Sequence, residues 1–135
     1  GDRFFTIWYG VYDAEARTLR YANAGHPPAV LLRRGKPPLQ MTESSMMIGV
    51  DPDAAFGERS ARIEPDTRLY LFSDGAFEVD SPTGEFFGLE RLVERIGDVQ
   101  QKSRGRVNAV WDEVCNWQQS DQPSDDFSLL EVEFR

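Results

Sequence analysis

With 135 residues, 40% of them hydrophobic and 12% aromatic, the chain can build one real core and is too apolar to be disordered. A net charge of -8 without any basic stripe excludes binding that works by neutralising phosphates along a nucleic acid. No apolar run is long enough to span a bilayer. The one cysteine, Cys115, excludes an internal disulfide or a Cys-based zinc site and fits a reducing, cytoplasmic compartment.

The first strand is expected at once. Phe5, Ile7, Tyr9 and Val11 alternate with Phe4, Thr6, Trp8 and Gly10, so both faces are substantially apolar, as in the middle of a covered sheet. Opening directly in such a strand suggests that residues before Gly1 belong to the same unit. Asp13 to Arg17 is a polar hairpin connection returning through Leu19, Tyr21 and Ala22, and Asn23-Ala24-Gly25-His26-Pro27-Pro28 is a loop fixed by one glycine and two prolines. Ala29 to Leu32 is the third strand, turned by Arg34 to Pro38 into Leu39 and Met41. The Thr42 to Phe56 segment reads as a strand end plus a loop. Its Met46-Met47 pair has two readings, a flap touching a protein substrate or simple gap-filling. Arg59, Ala61 and Ile63 form a further strand before the Glu64-Pro65-Asp66 turn.

Leu69 to Phe72 is a continuous apolar run that leads into Ser73-Asp74-Gly75, the pattern of a strand buried on both faces and ending in turn chemistry. Asp74-Gly75 can open a tight turn. It can also hold a hard cation at a rigid strand end, with Gly75 admitting a metal or its waters to the backbone. Beyond it the period changes. Leu89, Leu92, Val93 and Ile96 mark one amphipathic helix; Val107, Val110, Trp111, Val114 and Trp117 mark a second, with Cys115 among core residues. The chain closes on a half-buried strand from Phe127 to Phe134, with Leu130, Val132 and Phe134 on one face and Glu131 and Glu133 on the other, solvent-side face. Strands first, two helices, then one strand describes an antiparallel α+β domain with helices laid on a sheet.

Ser124-Asp125-Asp126-Phe127 places two carboxylates just before the last strand. If that strand and the Leu69–Phe72 strand are antiparallel neighbours, Asp74 and Asp125 converge at one sheet edge, where like charges call for a cation or a proton between them. Oxygen donors without His or Cys suit magnesium, manganese or calcium. A turn or strand-entry cap remains the other reading of Asp125. His26, the only histidine, is a candidate general acid, but its glycine- and proline-bound loop also fits a structural role or a substrate contact.

The segments Tyr21 to Pro28, Phe72-Ser73-Asp74-Gly75-Ala76-Phe77-Glu78, Phe87-Gly88-Leu89-Glu90-Arg91-Leu92 and Asp125-Asp126-Phe127-Ser128 resemble, in order and spacing, bacterial serine phosphatases of the stage II sporulation protein E type. These belong to the metal-dependent protein phosphatase (PPM) superfamily. The resemblance implies two antiparallel sheets packed face to face with helices outside, and a two-metal manganese or magnesium site that hydrolyses phosphoserine or phosphothreonine. Carried over by motif, Asp74 and Asp125 are metal ligands, Gly75 and Asp126 lie at the metal or beside it, and His26 lies on a possible substrate loop. Ser73 and Ser128 stand where the family often has threonine, keeping the hydroxyl.

The family's other metal-binding segment, an Asp-Gly motif followed by Gly-His-Gly, is absent here, and Asp2 does not replace it. Residues 1–135 are therefore expected to be the C-terminal portion of one phosphatase domain, inactive alone, with half of the metal ligands elsewhere. The resemblance also implies a phosphorylated STAS-domain substrate that antagonises an anti-sigma factor, and an upstream sensory or receiver module. A catalytically inactive, phosphatase-derived adaptor is the alternative. Open strand edges in a partial domain predict self-association, with a homodimer as the simplest form.

Overall fold

The computed structural model describes residues 3–42, 51–53 and 57–135; the Met46-Met47 pair and Asp2 lie outside them. Among the described residues seven strands and two α-helices follow one another as β1 (Ile7–Asp13), β2 (Thr18–Ala24), β3 (Ala29–Leu32), β4 (Leu39–Met41), β5 (Arg59–Arg62), β6 (Thr67–Phe72), α1 (Leu89–Asp98), α2 (Arg106–Gln118) and β7 (Leu129–Phe134). They form two antiparallel sheets, ordered β1-β2-β5 and β4-β3-β6-β7. The architecture is the α+β sandwich expected from the sequence.

Alternation in β6 generates both cores. Leu69 joins Leu19, Tyr21, Leu31, Ile63 and Phe134 between the sheets. Tyr70 and Phe72 face the other way, into a cluster with Leu92, Val93 and Ile96 of α1 and Val110 and Val114 of α2. β6 is thus an interior strand buried on both faces, which accounts for its unbroken apolar run. The helical spacings of α1 and α2 bury the residues that their periodicity selects.

Two expectations need correction. Among the described residues β1 is an edge strand, not a central covered one. Its inward set does pack: Trp8 stacks on Tyr21 at 5.8 Å and Tyr12 meets Phe134 at 4.6 Å. Its outward set does not: Ile7, Tyr9 and Val11 are exposed, as are Phe4 and Phe5 before them. The reason is that both helices cover the β4-β3-β6-β7 sheet, and among the described residues no layer lies over the outer face of β1.

Glu131, expected to face solvent, is the second correction. It sits opposite Tyr70 in the β6–β7 ladder, on the side that α2 covers. The Arg106 guanidinium donates to both of its carboxylate oxygens, at 2.7 and 2.6 Å, and the Tyr70 hydroxyl donates to one at 2.5 Å. Arg106 also donates to the Lys102 and Ser103 carbonyls. The network ties the start of α2 to the middle of β7.

The hydrogen bonds from Arg106, more than the opposing burial, hold the Glu131 carboxyl below its ordinary range, while burial and the Glu131 contact push the Tyr70 hydroxyl up. Removing one partner of a buried pair strands the other charge. Arg106→Ala is therefore expected to cost about 3–5 kcal/mol in urea unfolding. Because the folded Glu131 pKa is depressed, its stabilisation is complete above the unfolded carboxylate value near ~4.3 and fades as pH falls through the lower folded value. Glu131→Gln should thus lose stability at neutral pH, and its deficit against wild type should shrink below about pH 4. A pH-independent deficit in the urea midpoints contradicts this assignment.

Candidate metal and phosphoryl site

Antiparallel pairing of β6 with β7 matches Phe72 to Leu129, so the chain leaving β6 runs beside the chain entering β7. Ser73 locks the two together. Its N–H donates to the Ser128 carbonyl at 3.0 Å. Its hydroxyl donates to the Asp126 carbonyl and accepts from the Ser128 N–H, each at 2.9 Å. Asp74 then opens a one-turn 3-10 segment, Asp74–Ala76, whose Asp74 carbonyl accepts from the Phe77 and Glu78 N–H groups.

Gly75 is buried, and its backbone presses directly on the second acidic segment. A β-carbon there would lie 2.2 Å from the Asp126 carbonyl oxygen and 3.3 Å from that of Asp125. Only glycine permits this approach. The contact sets Asp74 and the Asp125-Asp126 pair side by side at one rim of the sandwich, all three exposed. Asp125 Oδ1 accepts from the Asp126 N–H at 2.7 Å, which orients that carboxylate locally. Phe127 anchors the segment against Trp111 of α2, ring centroids 4.6 Å apart.

The His26 loop lies at the same end of the sheet, because β3 starts level with the end of β6, Val30 opposite Tyr70. Buried Asn23 holds it from both sides: its side-chain amide donates to the His26 carbonyl and accepts from the His26 N–H, both at 2.9 Å. The ring Nδ1 lies 2.9 Å from the Pro27 carbonyl. With Nδ1 as donor to that acceptor, the imidazole is held within its own loop.

Oxygen-only donors at an exposed, glycine-lined rim suit a hard cation. Among the described residues, however, no three His, Cys, Asp or Glu side chains gather closely enough to hold an ion, so the fit is that of part of a ligand set. Two features escaped sequence reasoning. Ser73 acts through a hydroxyl bridge, which a Ser-Asp-Gly turn does not reveal. Asp126 contributes its carbonyl to the Gly75 and Ser73 contacts, which a side-chain motif cannot show.

The two-sheet α+β sandwich has the fold of PPM-type phosphatase domains, as comparison with solved structures shows. The SiaA-PP2C domain of Pseudomonas aeruginosa overlays with a TM-score of 0.75 at 20% identity, over 89% of this chain and 48% of that one. The PP2C phosphatase domain with a regulatory fragment of SpoIIE from Bacillus subtilis gives 0.77 at 18% identity, over 98% and 38%. Among curated proteins, Protein IcfG of Synechocystis sp. is 34% identical over 93 residues, 69% of this chain and 15% of its own length. The family model described as stage II sporulation protein E (SpoIIE) matches residues 1–135. The chain belongs to that family, and it spans less than half the length of each of these relatives.

Gly75→Ala should force the two acidic segments apart at a cost of about 1–3 kcal/mol, the range for overpacking a tight site. Gly57→Ala, where an added β-carbon meets no described atom within 4 Å, is the control and should cost little. Equal urea midpoints for the two variants contradict the close approach.

Proposed function

We propose that residues 1–135 form the C-terminal portion of a metal-dependent serine/threonine phosphatase domain that hydrolyses phosphoserine or phosphothreonine. The observation that carries this reading is the seating of Gly75 on the Asp125-Asp126 backbone, which juxtaposes two acidic segments on rigid strand ends. Membership of the SpoIIE family supports it. The partial-domain reading is supported by the share of each relative that the chain spans.

In this reading Asp74 and Asp125 are ligands, Gly75 leaves room at the backbone, and Asp126 adjoins the site. Magnesium or manganese is the expected ion. Similar folds include a SpoIIE phosphatase domain presoaked with manganese and RsbX in complex with magnesium. When bound, the metals supply water activation and neutralise charge on the phosphoryl oxygens. The chain's own part is positional. Ser73 fixes the spacing of the two segments, the Arg106–Glu131 pair holds β7 against α2, and the Asn23 clamp fixes the loop of His26 at the same rim. Preorganised oxygens of this kind cost no reorganisation during reaction. The substrate follows from family likeness: a phosphorylated STAS-domain antagonist of an anti-sigma factor, under control of a sensory or receiver module outside this segment.

A second reading, a phosphatase-derived adaptor without catalysis, draws on one observation, that among the described residues no three His, Cys, Asp or Glu side chains are grouped to hold an ion.

The test uses a form of the protein extended beyond residues 1–135 and a phosphoserine peptide. Manganese-dependent hydrolysis is expected, with Asp74→Asn and Asp125→Asn each lowering kcat by roughly a hundredfold or more, the scale for losing one preorganised electrostatic group. Metal-independent hydrolysis, or full activity in Asp74→Asn, contradicts the phosphatase reading. An inert but folded extended form supports the adaptor.

A further inference from the structure

A second polar site lies at the end of the β4-β3-β6-β7 sheet opposite the acidic rim. A cavity of about 420 Å³ opens there between the Arg34-Gly35 turn, the start of β6 and the 3-10 segment Val99–Gln101 that follows α1, with Arg34, Asp66, Arg68 and Gln100 in its lining. Arg68 is half-buried and shares the face of β6 that carries Tyr70 and Phe72 toward the helices. Its neighbours across the sheet are Leu32 and Glu133. The carboxylates on this side are already committed, because Arg106 takes Glu131 at 2.6 Å and Glu133 at 3.6 Å. Glu131 feels the charge of Arg68 only through space, and among the described residues no salt bridge reaches this guanidinium. Its Nη1 donates to the Gln100 carbonyl at 3.3 Å, while its Nε, shut off from solvent, has no acceptor. Covered cations in folded proteins are ordinarily paired. Arg68 is the exception here. On the solvent side, Arg34 meets Asp66 at 3.8 Å with side chains 87% and 62% exposed, a contact that contributes little.

We propose that this cavity binds a small oxyanion, a phosphate or a carboxylate, held by Arg68 and Arg34. Two guanidinium groups against one carboxylate leave the lining with one uncompensated positive charge, within a chain whose net charge is -8. With Nη1 spent on Gln100, Arg68 keeps its Nε–Nη2 edge. That edge is the parallel pair of donors that a carboxylate or phosphate engages through two oxygens. Arg34, on an exposed turn, gives up Asp66 at little cost and closes over the anion. The bound anion would tie β6, the turn after β3 and the Val99–Gln101 segment together. Arg68 and Phe72 are separated by about 13 Å of strand, so the site is distinct from the acidic rim and does not depend on the phosphatase reading.

The test is a titration of the isotope-labelled 135-residue chain with sodium phosphate and, separately, sodium succinate. Ionic strength is held constant with sodium chloride, and EDTA is present so that no metal at the rim contributes. Saturable shifts are expected at the Arg68 Nε–H and at the Gly35, Gln100 and Gln101 amides, while residues 74–76 and 125–127 stay in place. The salt that saturates at the lower concentration identifies the preferred oxyanion. Arg34→Gln should weaken binding roughly tenfold, the scale for losing one charged hydrogen bond, without moving the urea midpoint. Arg68→Lys keeps the charge and loses the fork, so it should stay folded and lose saturable binding. Shifts that chloride reproduces, saturation that survives unchanged in both variants, or first shifts at the acidic rim overturn the proposal.

Discussion

The close approach between the Gly75 backbone and the Asp125-Asp126 carbonyls is the constraint on which the acidic rim depends. Strand pairing alone brings β6 and β7 to hydrogen-bonding distance and fixes Phe72 opposite Leu129. It does not decide what the chains do beyond the ladder. The Ser73 hydroxyl decides that, because it bridges the Asp126 carbonyl and the Ser128 N–H. The missing β-carbon then lets the 3-10 turn of Asp74 settle on the neighbouring segment instead of splaying from it. Two exposed carboxylate segments repel, so their juxtaposition is maintained by neutral backbone contacts. Such an arrangement stores negative charge at a fixed place, which is what binding a hard cation requires.

Behind the rim, the fold commits a charged network to hold β7. Arg106 and Glu131 are deeply covered, with side chains 7% and 15% exposed, and Tyr70 completes the carboxylate's partners. A hydrophobic trio could pack the same space with comparable stability. A bidentate arginine–carboxylate pair adds geometric definition, setting how α2 crosses β7. The Trp111–Phe127 contact, between the middle of α2 and the segment entering β7, extends that alignment to the acidic segment. The helix layer thereby influences the rim without contributing a ligand.

Much of this was legible in the sequence, for identifiable reasons. The unbroken Leu69–Phe72 run specified an interior strand, and the helical spacings of Leu89 to Ile96 and Val107 to Trp117 specified the two helices, because burial on two faces and on one stripe leave different periods. The adjacency of β6 and β7 entered the sequence reading only as the condition under which the two acidic segments meet, and the strand pairing supplies it. β1 misled because its apolar outer face, Ile7, Tyr9 and Val11, reads as a covered strand whether or not the covering layer is present. Glu131 misled because alternation separates two faces without saying what lies over each; here the polar-looking face lies under α2 and is neutralised by Arg106, 25 residues away. The Ser73 bridge and the Asp126 carbonyl were invisible because backbone contacts leave no side-chain signature beyond the glycine that permits them.

The central claim, that Asp74 and Asp125 belong to one cation-binding rim, is most directly tested by titrating manganese into the isotope-labelled chain and following paramagnetic broadening of its amide resonances. Broadening reports proximity even when binding is weak, so a partial ligand set suffices. The account predicts that residues 74–76 and 125–127 broaden together at the lowest manganese concentrations, before the acidic Glu64–Asp66 turn at the far end of the sheet. Broadening spread evenly over the acidic surface, or confined to one of the two segments, would contradict it.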